Sequence, residues 1–521
     1  MRRLSSRFTA SLAAVILAQG AAGAQQPTTF VMLKGSDTLA VERVTRTANR
    51  LDGDFVSPAG GVRVRYAATL VADGTMPKLE TWAYRGANDT TGTHTTMQLE
   101  GDSMAVDLPG RTMRFPTKPG AIVYFNPSMG LLEQAVIRAH SIGGQSAEVP
   151  LFVSEGAATV PLSVTWVGSD SAHVSLGGVI MNVALGVDGR ITGITVPSQD
   201  VRVVRVDGTR VSATIAKPDY SAPSDAPYTA EEVTVRTPAG LKLTGTLTLP
   251  KTRPVRGAPA IVTITGSGTE ERDESLPGVK GYRPFRQIAD TLGRRGIAVL
   301  RLDDRGAGGS DAGPHGATSA DFADDVRAGL AYLRTRRDID GDRLALVGHS
   351  EGGMIAPMVA ATDPKLRAIV LMAGPAHTGR AILTYQQEYA ADSMLHLTGT
   401  KRDSAVREMA RKLDSAAIGE PWIHFFLDYD PVATAKRVKQ PVLILQGATD
   451  RQVTPEQAVE LAAAFRAGGN NDVTMKPFAS TDHLFLADPV GNPSGYAGLP
   501  SKNVRVEVLG TIADWLATHL R

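Results

Sequence analysis

The feature that most restricts this chain is the pentapeptide Gly348-His349-Ser350-Glu351-Gly352, because of where it stands. It follows the apolar run LALV at 344–347 and precedes a helix-compatible stretch at 353–361. A G-x-S-x-G sequence between strand and helix calls for a sharp, strained turn that lifts the serine hydroxyl above the end of a sheet. Further apolar runs at 260–264, 298–302, 368–372 and 442–445 alternate with helix-like stretches, and 233–249 reads as a strand pair closing on Pro250. Strands separated by helices predict a mainly parallel sheet with helical crossovers.

A serine hydroxyl needs a base within hydrogen-bond reach and a third group to hold that base in the right tautomer. Behind an elbow of this kind the order is serine, acid, histidine. Asp450 follows the apolar run 441–446 in GATDRQVTP, and His483 stands in STDHL beyond a further strand at 473–477. An aspartate after a strand is commonly a helix cap and a loop histidine is commonly solvated, so position decides. Of the ten histidines, His519 belongs to a C-terminal amphipathic helix, while His349 abuts the serine and cannot easily turn back onto it. Asp482 adjoins His483, but chain neighbours rarely face each other well, so Asp450 is preferred as the acid.

Acyl transfer also needs amide donors for an oxyanion. Glu351 N–H is the expected first donor, and Ser267 or Gly268, in the glycine loop 266–269, the second; the alternative for that loop is a plain glycine turn. The loop DDRGAGGS at 303–310 lacks phosphate-binding spacing and reads as a scaffold turn whose charges brace the oxyanion loop beside Arg272 and Asp273. With no H-E-x-x-H and no cysteine, no metal site and no cofactor are expected. The stretch 373–440 is longer than one crossover helix requires, so a helical cap is expected over about 376–437, with Tyr385, Met394, Trp422, Phe425 and Phe426 either lining an acyl pocket or simply packing.

Before residue 217 the pattern differs. Runs such as VRVRY at 62–66, and looser ones at 160–167 and 201–206, alternate with period two. Glycine and proline punctuate them at 58–61, 109–110 and 119–120, as in an antiparallel sandwich or curled sheet, with one helix near 131–140. The divisions expected are a signal peptide at 1–24, a β-rich domain at 25–216, a linker at 217–227 with three prolines, and a catalytic domain at 228–521. The basic start (Arg2, Arg3, Arg7), the short apolar stretch 11–17 and the small residues 22–24 predict a cleaved leader and a periplasmic or secreted protein without a transmembrane segment. The 55 basic and 53 acidic residues nearly cancel, with no basic run, so no nucleic-acid partner is expected.

Taken together, ITGSGTEERDE at 264–274, LRLDDRGAGGSDAG at 300–313, DFADDV at 321–326, GHSEGG at 348–353, GATD at 447–450 and TDH at 481–483 resemble a group of bacterial α/β-hydrolases. These are the serine aminopeptidase-like hydrolases and the short-chain carboxylesterases of the esterase D kind, and the resemblance covers roughly 233–521. It implies an α/β-hydrolase fold with a helical cap, preceded here by a smaller mostly-β domain. It also implies catalytic roles for Ser350, Asp450 and His483, and an oxyanion hole built partly from the glycine loop. The function implied is cleavage of small carboxylic esters of short to medium acyl length through an acyl-enzyme. A departure is the loop sequence Gly-Ser-Gly-Thr, where relatives often carry proline after the second glycine. A peptidase or amidase using the same triad is the alternative, and a noncatalytic binding protein the second; oligomeric state is open.

Overall fold

The computed structural model describes residues 27–521 apart from 36, 59–60, 86–88, 90, 208–217, 277 and 315. The expected leader at 1–24, the tip of the turn at 58–61 and the first linker residue therefore lie outside the described residues. Two compact units emerge, one drawn from the first 213 residues apart from two short stretches, the other containing Thr214–Arg521.

In the first unit a single fifteen-stranded sheet forms. Period-two alternation gives each strand one apolar face, as in Ala158–Trp166, where Leu162 and Val164 are buried. Neighbouring strands form hairpins such as Ser146–Val153 with Ala158–Trp166, and Ile122–Tyr124 pairs parallel with Ser146–Val153. The curled-sheet alternative, not the sandwich, is what forms: Thr117, just past the edge strand Arg111–Pro116, shares a hydroxyl hydrogen bond of 2.6 Å with Thr159 near the other edge. Among the described residues of this unit the one long helix, Met129–Ile142, packs Leu131, Leu132, Ala135 and Val136 against Leu51, Met76, Leu79 and Val149. Its first turn is satisfied from the sheet. Buried Glu42 accepts the Met129 and Gly130 amides and the Ser128 and Tyr66 hydroxyls, and burial raises its pKa.

The second unit holds an eight-stranded sheet in the order Tyr228–Arg236, Lys242–Pro250, Ala298–Leu302, Ala258–Ile264, Ile339–His349, Ala368–Met372, Val442–Gly447 and Val473–Phe478. The first pair is antiparallel, Lys242–Pro250 joins Ala298–Leu302 antiparallel, and the remaining pairs are parallel. Strands buried on both faces read as continuous apolar runs. Alternate residues serve opposite faces: Val262, Leu346, Ile369 and Ile444 pack beneath the helices Ser319–Thr335, Glu351–Ala360 and Pro455–Ala467. Ile261, Val347, Val370 and Leu443 pack against Pro284–Arg294 and Val506–His519. The surplus chain after Ala368–Met372 forms the helices Gly379–Tyr389, Gly399–Gly419, Pro421–Asp428 and Pro431–Ala435. Among the described residues no helix is long and apolar enough to cross a membrane.

Candidate active site

The loops leaving the carboxyl ends of the parallel strands carry the predicted site residues, the usual place for chemistry in an α/β sheet. Ser350 sits between the strand Ile339–His349 and the helix Glu351–Ala360 at φ 53° and ψ −115°, a conformation that strains any residue with a Cβ. Its N–H donates to Met372 O at 2.8 Å, pinning the turn to the neighbouring strand. The motif glycines answer to close approach: a Cβ on Gly348 would fall 2.1 Å from Gly352 O, and one on Gly352 would fall 2.1 Å from Ile264 O. Sterics at the elbow thus dictate the sequence pattern.

Asp450 follows the strand Val442–Gly447, is fully buried, and lies 2.8 Å through Oδ2 from His483 Nδ1. Its other contacts are donors too: Gln452 N at 2.8 Å, Val453 N at 3.0 Å and Gln446 Nε2 at 3.0 Å. A carboxylate so held is a rigid acceptor that favours the Nδ1–H tautomer and leaves Nε2 for proton transfer. Asp482, the rejected neighbour, turns away and accepts Leu486 N at 2.8 Å, and burial pushes it up to about 7. The contacts join Asp450 to His483, and His483 to the elbow through the His349 side chain; among the described residues no hydrogen bond joins Ser350 to His483 directly.

The glycine loop follows the strand Ala258–Ile264 and passes over Ser350, for a Cβ on Gly266 would lie 3.5 Å from Ser350 Cβ. Gly266 N–H is committed to Glu274 Oε1 at 2.9 Å, leaving the exposed Ser267 and Gly268 as the loop's donor candidates beside Glu351 N–H. Asp303 and Asp304 do brace this loop. Asp303 accepts Arg272 N, Nε and Nη2 at 3.0, 3.0 and 2.8 Å, while Asp304 accepts Glu270 N at 3.0 Å and the Thr265 hydroxyl at 2.9 Å. Arg305 does not join them; its guanidinium forms a fork with Asp325 of the helix Ser319–Thr335 at 2.8 Å and also donates to Asp321 O at 3.0 Å.

Sequence reasoning assigned Glu351 only its amide, yet its buried side chain is equally engaged. Oε1 accepts the Ser319 hydroxyl at 2.6 Å and Trp422 Nε1 at 2.9 Å, and burial raises its pKa. Trp422 stacks on buried Phe426 at 5.4 Å, so the helix Pro421–Asp428 docks on Glu351, the residue next to Ser350. The other pocket candidates divide: Phe425 stacks on Tyr429 and Tyr385 on Tyr389, while Met394 is exposed. The roles of Glu274 and the His349 side chain were also missed, since nothing in local spacing pairs residues so far apart. Among the described residues no cluster of histidine and acidic side chains could hold a metal ion.

Residues 284–521 match the family model described as the prolyl oligopeptidase family. Esterase EstD of Thermotoga maritima is 27% identical over 306 residues, covering 57% of this chain and 69% of the relative. The α/β-hydrolase domain-containing protein WAV2 of Arabidopsis thaliana is 28% identical over 196 residues, 36% of this chain and 54% of that one. Among solved structures, the esterase Pf2001 of Pyrococcus furiosus aligns with a TM-score of 0.42 at 16% identity, over 58% of this chain and 96% of its own. By its strand order, its strained serine turn and its similarity in sequence to the prolyl oligopeptidase family model, esterase EstD and WAV2, the second unit is an α/β-hydrolase of the serine hydrolase type, akin to the esterase group that its motifs resemble.

Proposed function

We propose that the chain is a serine carboxylesterase that cleaves small carboxylic esters of short to medium acyl length without a cofactor. The observation that carries this is the buried Asp450–His483 pair at 2.8 Å beside a strained serine elbow. In this reading Ser350 Oγ attacks the ester carbonyl while His483 Nε2 takes its proton, with Asp450 holding Nδ1–H and steadying the imidazolium. The tetrahedral oxyanion is received by Glu351 N–H and by the amide of Ser267 or Gly268. The alcohol leaves with the proton from His483, and water activated by the same imidazole then cleaves the acyl-enzyme.

The test is hydrolysis of p-nitrophenyl esters from acetyl to decanoyl by the wild type and by Ser350→Ala. Turnover that falls off with acyl length and vanishes in a folded Ser350→Ala supports the reading; an inactive wild type sinks it. The family match supports a second reading, hydrolysis of amides or peptides by the same residues. Faster acyl transfer from an aminoacyl amide than from a short acyl ester would favour that reading. We propose further that the chain is exported to the periplasm or secreted after loss of residues 1–24, supported by the basic, apolar and small-residue order of that segment. A mature N-terminus other than Gln25 would count against it.

A further inference from the structure

We propose that Glu274 and His349 form a second buried acid–histidine pair that positions the catalytic histidine by tying the oxyanion loop, the nucleophile elbow and the histidine loop to one another. The inference rests on the triad reading above. His349 ends the strand Ile339–His349, directly before Ser350, and is buried. Its Nδ1 lies 2.7 Å from Glu274 Oε1, and its Nε2 lies 2.9 Å from the main-chain oxygen of His483. A carbonyl oxygen only accepts, so Nε2 carries a proton and donates it to His483 O. The same Glu274 oxygen accepts Gly266 N–H at 2.9 Å. Three segments far apart in sequence, each bearing one part of the proposed chemistry, thus meet on one carboxylate and one imidazole.

The surroundings favour positioning over mere packing. The His349 ring stands 4.9 Å from the His483 ring and 6.1 Å edge-on from Phe485, so any shift of His349 is felt by the base. Glu274 at φ 58° and Phe485 at φ 59° both hold a left-handed backbone that neither residue type favours. Burial draws the His349 pKa down, but the Glu274 charge, its hydrogen bond and the His483 carbonyl together outweigh that and hold it above its ordinary value. A buried ion pair is a poor way to stabilise a fold compared with apolar side chains of the same volume, and its best-attested use is to fix one arrangement among several. Here the arrangement fixed is the backbone from which the base projects.

The experiment compares His349→Met, which fills the space without a ring donor, with His349→Gln, which keeps an N–H toward His483 O. Melting temperature, kcat and KM for p-nitrophenyl butyrate, and the rate of Ser350 phosphonylation by a fluorophosphonate are measured for each. The expected result is a fall of about 10–100-fold in kcat and in phosphonylation for the Met variant at unchanged KM, as a displacement near 1 Å brings, with most of the loss recovered in the Gln variant at a similar melting temperature. Glu274→Met and Glu274→Gln make the same comparison from the other end and decide the matter if the His349 variants do not fold. Met variants with wild-type rates, or Gln variants no better than Met, overturn the proposal. If the wild type neither turns over esters nor takes the phosphonate, the triad reading is what has failed. The brace is then read from the low-field Nδ1 proton of His483 in NMR spectra: lost with Met and kept with Gln supports it, and indifference to both substitutions overturns it.

Discussion

Asp450 shows how much of a residue's role is fixed by the donors around it. Its two oxygens face His483 Nδ1, two amides and Gln446 Nε2, so every neighbour asks for an acceptor. Asp450→Asn would put an NH₂ group against one of these donors and drive His483 toward the tautomer with Nε2–H. We expect kcat for p-nitrophenyl butyrate to fall by roughly 10³–10⁴-fold with the fold retained, as for a triad held in the wrong tautomer; a loss below tenfold would remove Asp450 from the role given it. Asp482, one residue from His483, carries a different consequence. Burial raises it to about 7, so between roughly pH 4 and 7 the folded chain keeps a proton that the unfolded chain has released. The unfolded state then binds fewer protons, and stability falls as pH rises through that window. Asp482→Asn should flatten this slope, raising the melting temperature by about 2–4 °C at pH 7.5 with little effect near pH 4; parallel wild-type and variant curves across that range would refute it.

At the scale of elements, the contact between Trp422 and Glu351 makes the helix Pro421–Asp428 part of the site. Trp422→Phe keeps the stack on Phe426 and deletes only the donor, leaving the buried Glu351 carboxyl to the Ser319 and Ser267 hydroxyls. The expected outcome is a cap held less firmly: faster proteolytic nicking within 379–428 and a KM for medium-chain esters raised about two- to tenfold, in keeping with a net hydrogen-bond contribution of roughly 0.5–1.5 kcal/mol. Unchanged nicking and unchanged KM would mean that the bond is incidental. These elements also show what the sequence made legible. The strand 344–347, the elbow, the acid after 442–445 and the histidine after 473–477 could all be read because each is a local pattern: an apolar run, then a turn, then one polar residue. The partners of the Glu351 and His349 side chains could not, for they pair residues 32 to 134 positions apart and depend on how strand ends converge. Arg305 illustrates the same limit, since its charge was evident and its choice of Asp325 over the oxyanion loop is a matter of tertiary distance.

For the molecule as a whole, the two units carry separate hydrophobic cores. The first gathers the inner faces of its curled sheet around Leu131, Leu132 and Val136, and the second divides into layers above and below its parallel sheet around Leu346 and Val347. Each core has a chain segment long enough to bury it. Calorimetry of the intact chain should therefore resolve two transitions, since a single all-or-none melt is expected of one cooperative core and not of two. Assignment comes from substitution. Leu346→Ala and Leu132→Ala each remove a fully buried side chain, and each should cost about 2–5 kcal/mol. Leu346→Ala should lower one transition and Leu132→Ala the other. The covalent phosphonate on Ser350 should move only the transition that Leu346→Ala lowers, because a group fixed in one folded unit shifts that unit's equilibrium alone. A single transition displaced by both substitutions would mean that the units unfold as one body, and that a change in the β-rich unit reaches the Ser350 site through the stability they share.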